Sequence, residues 1–467
     1  MSQQVALQDG TIEQLRGRVG GEVVTPGDAA YDEARRVWNG MVDCHPALVV
    51  RCASTADVAA AVDFGREHDL IVSVRGGGHS TPGYSTCDDG IVIDLSPMNR
   101  ADVDLGARTA KAQGGATWAD LDGAAQAHGL AVTGGRVSDT GVGGLALGSG
   151  SGWLERMYGV TCESLLSAEV VTADGSVVRA APDENPELFW GLRGGGGNFG
   201  AVTEFEFRLH PVGPIVTGGM LLYPRDRAGE VLRFYRDFMA SAPDEVGGGI
   251  ALLTAPPEPF VPEALQGQPA LGIVFIYVGP IEDGEEAVRP LKAATSPLVD
   301  LVQAMPYAAL QQMMDAGNPH GIREYFKVDW LRDLPDEAID VIIEHGENLP
   351  APFGQLIIAP MGGATARTDT STMALNMPNA PWAYFCLSMW MDPSEDERNV
   401  AWARGFAKAM SAYEVGSPYP NFIEPDEGVA RLRSSYGPDK YDRLVELKRR
   451  WDPENLFRLN QNISPAR

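Results

Sequence analysis

Residues 74–80 combine side chains that could bind a charged cofactor and react with it. The segment follows a run of apolar residues and reads valine, arginine, three glycines, histidine and serine. Successive glycines permit positive φ angles and close backbone approach, and their amides can form a nest for a pyrophosphate, to which Arg75 could add charge. His79 ends the loop, where its ring could meet a bound cofactor. Taken alone, the pattern also fits a glycine turn with a surface histidine.

A second glycine-rich segment spans residues 134–153. It does not show the G-x-G-x-x-G pattern that opens a helix in an NAD-binding βαβ unit, nor the G-x-x-x-x-G-K-[ST] pattern of a P-loop. We therefore reject both of those nucleotide-binding folds. Two phosphate-capable glycine loops in two α+β pieces predict one long dinucleotide lying between them.

The first glycine loop follows a predicted β–α–β unit. Residues 47–50 and 70–74 form short apolar runs typical of strands. Between them, Ser54 is predicted to cap a helix, with Asp57 as its capping-box partner. Further strands are predicted at residues 90–95, 109–113, 168–172, 177–180 and 203–209.

The pattern changes after Pro214, where long amphipathic stretches alternate with separate strands. Helices are predicted at residues 231–240 and 335–345, and strands at 248–253, 270–277, 353–359 and 383–390. This mixture favours one antiparallel sheet with helices on one face. Two short helices, 426–433 and 439–451, are predicted in the tail.

The expected fold is therefore α+β with two domains, as the length of 467 residues also favours. Residues 1–214 are predicted to form a cofactor-binding domain of two α+β subdomains. Residues 215–417 are predicted to form a substrate domain, and residues 418–467 to return to the first domain.

The net charge of −26, from 63 acidic and 37 basic residues, excludes nucleic acid and anionic membranes as expected partners. It fits a solubility device, adaptation to a salty interior, or steering of a cationic substrate. Charge alone does not separate these alternatives.

The five cysteines are scattered and form no C-x-x-C pair, so neither a zinc ribbon nor a disulfide framework is expected. We expect no metal site, and reduced thiols as in a cytoplasmic protein. The polar start lacks the apolar stretch of a signal peptide, and no run of about 18 apolar residues predicts a membrane span.

Several segments together resemble one known family. They are residues 74–80, 90–98, 134–153, 170–175, 188–200 and 452–463, which occur in family order over nearly the whole chain. They are similar to FAD-linked oxidases of the berberine-bridge-enzyme type, within the vanillyl-alcohol-oxidase superfamily, and the bacterial 6-hydroxynicotine-oxidase-like branch is the most similar. The resemblance implies the PCMH-type FAD-binding fold, with an antiparallel sheet over the flavin and the active site between the domains.

The resemblance also implies how FAD is held. His79 matches the histidine bonded to the flavin 8α carbon. Some members add a cysteine tether at the position of Val137, where valine has no nucleophile, so a single tether is expected. The other residues implied in FAD binding are Arg75, Gly76, Gly77, Gly78, Ser80, Gly83, Gly135, Thr140, Gly141, Gly144, Gly150, Gly152, Val202 and Asn462.

The expected catalytic base is in doubt. Many members have Tyr-x-Asn-Tyr near the tail, and the second tyrosine deprotonates the substrate, but here the four residues end in Phe422. Tyr419 and Asn421 of the same motif and Tyr325 of the substrate domain are the remaining candidates. Packing explains such tyrosines equally well, and a neutral amine would need no strong base.

Thr140 matches the family position that gates oxygen, where small residues leave access open. The sequence therefore predicts an FAD-dependent oxidase that takes a hydride from an alcohol, amine or activated C–H bond of a small organic or natural-product substrate. Oxygen would reoxidise the flavin and yield hydrogen peroxide. The alternatives are a dehydrogenase with another electron acceptor, or a flavin-binding protein without turnover. The oligomeric state and the substrate cannot be read from the sequence.

Overall fold

The computed structural model describes residues 9–257, 259 and 261–466. The strands of its N-terminal part are β1 (Glu22–Val24), β2 (Leu48–Arg51), β3 (Val72–Arg75), β4 (Ile91–Asp94), β5 (Ala101–Asp104), β6 (Thr109–Gln113), β7 (Leu130–Ala131), β8 (Leu165–Val171), β9 (Val177–Ala180), β10 (Ala201–Arg208) and β11 (His210–Pro211). The helices there are α1 (Asp9–Arg16), α2 (Tyr31–Ala34), α3 (Thr55–Glu67), α4 (Trp118–Gln126), α5 (Val142–Gly148), α6 (Glu155–Tyr158) and α7 (Pro186–Leu192).

These strands form two main sheets, each with its own core. The first has the order β1-β2-β4-β3, with β2 and β3 parallel to β4, and it packs on α3. The second is antiparallel, with the order β5-β6-β10-β8-β9. The strands predicted at residues 168–172 and 177–180 are confirmed, and they pair as the antiparallel hairpin of β8 and β9.

Helix α3 begins as the sequence predicts, because the Ser54 side chain accepts a hydrogen bond from the Asp57 amide. The predicted capping-box role of Asp57 is wrong. Its carboxylate instead accepts hydrogen bonds from the amides of Gly20, Gly21 and Ala53, which ties the start of the chain to the helix.

The middle of the chain forms one large sheet. Its strands are β12 (Ile215–Pro224), β13 (Val246–Thr254), β14 (Pro269–Tyr277), β15 (Val299–Asp300), β16 (Gln303–Pro306), β17 (Arg323–Leu331), β18 (Gln355–Pro360) and β19 (Trp382–Trp390). Its helices are α8 (Ala228–Ser241), α9 (Ile281–Thr295), α10 (Tyr307–Gln311), α11 (Asp336–Glu347) and α12 (Asp396–Met410). The strand order is β15-β12-β14-β13-β18-β19-β17, with β16 beside β12, and every pairing is antiparallel.

Strict alternation gives this sheet two different faces. On β18, Leu356 and Ile358 pack into a core with α8, α11 and α12, whereas Gln355 and Ile357 face the N-terminal part of the chain. The prediction of an antiparallel sheet with helices on one face is therefore confirmed, as is the α+β class. Four strands of this sheet, β12, β15, β16 and β17, were not predicted from the sequence, and α5 lies in a segment that was predicted to be a loop.

The tail folds back on the N-terminal part through α13 (Gly428–Tyr436) and α14 (Pro438–Trp451). On α14, the buried ammonium of Lys448 lies 2.6 Å from the Asp452 carboxylate and also donates to the carbonyls of Asn198 and Phe457. This one cation joins α14 to the loop before β10 and to the final segment of the chain. Within the described residues, no helix is long and apolar enough to cross a membrane.

Removing that cation should destabilise the protein strongly. Lys448→Met leaves the Asp452 carboxylate buried without a counter-charge, so we expect the free energy of unfolding to fall by about 3–5 kcal/mol. Arg443→Met on the same helix is the control. Its ion pair with Glu187 is largely exposed and its guanidinium covers Trp190, so its loss should cost about 1 kcal/mol. Thermal denaturation measures the loss of stability in both variants. Equal losses would contradict the role of Lys448 as the buried counter-charge of Asp452.

Candidate cofactor and substrate site

A cavity of about 390 Å³ lies between the N-terminal subdomains and the face of the large sheet opposite α8, α11 and α12. Its two walls differ in chemistry. The wall from the N-terminal part and tail is rich in glycine, with Gly76, Gly77, Gly78, Gly135, Gly141, Gly143, Gly144, Gly148, Gly150, Gly196, Gly197 and Gly200. The sheet contributes mainly apolar side chains, including Met220, Ala251, Leu253, Val274, Phe326, Ile357, Phe385 and Leu387.

Within the glycine wall, two backbone segments lie in direct contact at Gly77 and Gly141. A Cβ atom on Gly77 would lie 2.3 Å from the amide nitrogen of Gly141, and one on Gly141 would lie equally close to that of Gly77. Gly78 also has φ +76°, which L side chains rarely adopt. Within the described residues, the amides from Gly76 to Ser80 donate no hydrogen bond, so they are available to an anionic ligand.

His79 lines the cavity, and its ring is held from several sides. Trp38 stacks on the imidazole at 4.8 Å between centroids. The Nε2 atom lies 2.9 Å from the Asp139 carboxylate, and Nδ1 lies 3.4 Å from the Thr140 hydroxyl. In the tautomer with its proton on Nε2, beside the carboxylate, Nδ1 keeps a lone pair and is the nucleophilic nitrogen.

Asp139, which the sequence analysis did not single out, also lies 2.6 Å from Nε2 of the exposed His320. Burial opposes ionisation of Asp139, but contacts with the two histidines outweigh it and lower the pKa of its carboxyl. One ligand atom from each of the three residues lies within 4.8 Å of the others, a spacing that a cation could bridge. The contacts already present place the Asp139 carboxylate beside Nε2 of His79, where it can orient the ring.

Arg75 does not supply the charge that the sequence analysis expected. Its guanidinium is buried and forms two hydrogen bonds to the Asp94 carboxylate, on the adjacent strand β4. It does not line the main cavity, although the neighbouring glycines do. Its charge is neutralised inside the subdomain, so the backbone amides are the groups of this loop that remain available to an anion.

Arg136 does line the cavity, between the rings of Trp153 and Phe385. Its guanidinium donates to the Ser151 hydroxyl and to the buried Glu155 carboxylate. The planar cation is therefore fixed in orientation, and its charge is balanced by Glu155.

Most of the predicted FAD-binding residues line the cavity, and three besides Arg75 do not. Gly83, with φ +80°, closes a turn on the Ser80 carbonyl and abuts Val42. Gly152 packs against the backbone of Gly134, where a Cβ would lie 2.0 Å from the carbonyl oxygen. Asn462 does not reach the cavity, whereas the neighbouring Asn460 and Gln461 do.

The predicted catalytic residues are placed very differently. Thr140 and Asn421 line the cavity, and the Asn421 amide is bonded to the carbonyls of Gly144 and Leu145 in α5. Tyr419 lies behind the wall, stacked on Trp330. Burial raises the pKa of its phenol well above 10, so the group stays protonated.

Tyr325 lies on the opposite face of β17 from the cavity. Its hydroxyl donates to the Asp426 carboxylate and accepts from Arg404, outside the cavity. The neighbours Glu324 and Phe326 face the cavity instead, because side chains alternate along a strand. Tyr325 was therefore the wrong candidate, because it lies on the other face of a strand that was not predicted from the sequence. The sequence did contain a signal for this strand, namely charged residues spaced along a segment that the structure buries almost completely.

Comparisons with known proteins agree with this architecture. Residues 46–181 match the family model described as an FAD binding domain, and residues 418–464 match the model described as berberine and berberine like. The FAD-linked oxidoreductase pgmH of Aspergillus terreus is 31% identical, over 99% of this chain and 97% of its own. The (R)-6-hydroxynicotine oxidase of Paenarthrobacter nicotinovorans is 28% identical, over 95% and 97%. The crystal structure of 6-hydroxy-D-nicotine oxidase from Arthrobacter nicotinovorans superposes with a TM-score of 0.86 and 27% identity, over 96% of this chain and 98% of that one.

The fold and the cavity thus define an FAD-linked oxidoreductase. The chain belongs to the berberine-bridge-enzyme-like family of FAD-linked oxidases. The residues present fit FAD. One wall of the cavity offers glycine backbone with unpaired amides, which suits the phosphates, and the other wall offers apolar side chains, which suit the flavin ring.

Filling the glycine wall should expel the cofactor without unfolding the protein. A Cβ on Gly144 would meet no protein atom within 4 Å, although the residue lines the cavity. We expect Gly144→Leu to fold and to weaken FAD binding at least about tenfold, or about 1.4 kcal/mol, because the side chain occupies cofactor space. The flavin-to-protein absorbance ratio after purification measures this. Gly123→Leu, on the exposed side of α4, should keep its flavin, and full flavin content in both variants would contradict the placement.

Proposed function

We propose that this enzyme carries FAD covalently on His79 and oxidises a small organic molecule at the apolar sheet face, with oxygen as electron acceptor. The observation that carries the proposal is the position of His79, which lines the cavity at the end of the glycine loop and whose ring centroid lies 6.0 Å from that of His320 in the middle part of the chain. A cofactor bound through its phosphates to the glycines would present its ring system to the sheet. FAD supplies the two-electron acceptor at this junction.

The surroundings of His79 support attachment at its Nδ1 atom. Asp139 beside Nε2 stabilises positive charge that develops on the imidazole when the other nitrogen forms a bond. Trp38 restricts the ring to one plane. Val137 lines the cavity and offers no nucleophile, and none of the five cysteines lines it. These facts favour a single tether.

The chain's own residues do the remaining work of binding and orientation. Phe326 and Phe385 of the sheet face each contact the ring of Phe422, which comes from the tail. This aromatic cluster excludes water from the reacting carbon and favours a substrate with an apolar body. Asn421 is fixed by its bonds to α5 and so holds the base of this wall rigid. The oxidase names of the two 6-hydroxynicotine oxidases reported above support the same reaction class.

The covalent bond is tested by acid precipitation. In the wild type, yellow colour should stay with the precipitated protein, because the bond survives unfolding. In His79→Ala, the colour should move to the supernatant, since the nucleophilic nitrogen is gone. His128→Ala, which changes an exposed histidine, should behave as the wild type. Colour released from the wild type would show that FAD is bound without a covalent bond.

Oxygen access is tested at Thr140. We expect Thr140→Leu to slow reoxidation of the reduced enzyme by oxygen at least about tenfold, or about 1.4 kcal/mol in barrier, because the larger side chain fills space beside His79. Thr140→Val keeps the volume and should leave the rate unchanged. Stopped-flow absorbance measures the rate, and peroxide release confirms the product. Slow reoxidation of the wild type itself would favour the dehydrogenase alternative.

A further inference from the structure

Glu324 is a buried acid for which the protein provides no partner. Its side chain lines the cavity and is 2% exposed. Neither carboxyl oxygen has a hydrogen-bond partner of ordinary geometry, although the Thr81 side chain is its neighbour. An unsatisfied buried polar group is costly, so a group that persists in such a place points to a ligand that completes it.

The backbone around Glu324 is held firmly in place. The Asn39 side chain accepts from the Glu324 amide and donates to the Glu324 carbonyl. The side-chain amide of Asn39 also donates to the carbonyl of Thr81, two residues after His79. Asn39 directly follows Trp38, which stacks on the His79 ring. One short segment therefore fixes both the proposed attachment residue and the acid.

The surroundings of Glu324 contain no balancing cation. Burial, and then the nearby Glu424, raise the pKa of its carboxyl well above the ordinary value. Glu424 accepts from the Phe326 amide, and burial raises its own pKa to about 7. The two basic residues of the strand, Arg323 and Lys327, lie on its other face. There Arg323 pairs with Asp396, and Lys327 pairs with Glu427 at 3.0 Å. Within the described residues, no ion pair involves Glu324.

Gln355 is another polar side chain on this face of the sheet, and its surroundings are the aromatic and aliphatic groups already described. A packing role would be served better by an uncharged residue, since a buried carboxyl without a partner destabilises the fold. The group that best complements an isolated carboxyl in an apolar cavity is a basic nitrogen. The net charge of −26 also raises the concentration of cations near the surface.

We propose that Glu324 binds the nitrogen of the substrate, and that the enzyme oxidises a small apolar amine. This rests on the proposed function of the same cavity. The carboxyl group and the amine share one proton when both are buried. With that proton on Glu324, the amine is neutral, and its lone pair forms the C=N bond of an iminium product as the adjacent carbon loses a hydride. The two electrons pass to FAD.

Two probes that differ only at the heteroatom test this assignment. N-methylbenzylamine and benzyl methyl ether have the same size and shape, and each can be titrated against the oxidised holoenzyme by the change in flavin absorbance. We expect the amine to bind about ten- to a hundredfold more tightly than the ether, as for a hydrogen bond to a charged group. In Glu324→Gln, the preference should fall below about threefold, with ether binding unchanged.

A second variant tests the role of Glu324 independently of the glutamine substitution. Glu324→Met should lose the amine preference and raise the thermal midpoint by about 2–4 °C, because an unpaired acid is replaced by an apolar side chain. Asp122→Asn is the control. Asp122 is a buried acid that accepts from Gln311 and does not line the cavity, so its variant should keep the amine preference.

Equal binding of the two probes by the wild type would overturn the proposal, as would an amine preference that survives in Glu324→Gln. Failure of both probes to perturb the flavin up to their solubility limits would also overturn it. Failure of the proposed function is distinguishable, because it would appear as missing FAD or as no substrate-dependent bleaching with any compound, whichever probe binds.

Discussion

The backbones of Gly77 and Gly141 pass so close that no side chain fits between them, and the cavity depends on that contact. It joins the loop after β3 of the first sheet to the loop before α5, and so ties two separately packed cores together. It also leaves a run of amides without partners beside a surface free of side chains. Both properties are needed to hold a long dinucleotide between subdomains.

The opposite wall of the cavity depends on the alternation of side chains between the two faces of a β-sheet. One face carries the core under α8, α11 and α12, while the other presents a nearly continuous apolar surface. Departures from that surface are informative, since natural sequences break the rules of packing mainly where function requires it. Glu324 is such a departure, and Asn39 links it to the segment that carries His79.

The parts of the site that could be predicted from the sequence are those coded locally. Glycine runs, the Ser54 cap and His79 stand in short segments whose conformation depends on neighbours in the chain. The errors arose where tertiary structure decides. The pairing of Arg75 with Asp94 requires two strands to become adjacent. The choice between Tyr325 and Glu324 depends on which face of β17 meets the helices, and a one-residue error reverses that choice.

His79, which lines the cavity, is proposed to be the covalent anchor of FAD, and a peptide map tests this attachment most directly. Cleavage after Arg75 and Arg100 releases residues 76–100, a peptide in which His79 is the only histidine. Tandem mass spectrometry of a tryptic digest of the wild type should find this peptide with the mass of the flavin added and fragmentation should place the addition on His79. A flavin-free peptide from a yellow protein, or an addition on Cys87 of the same peptide, would contradict the account.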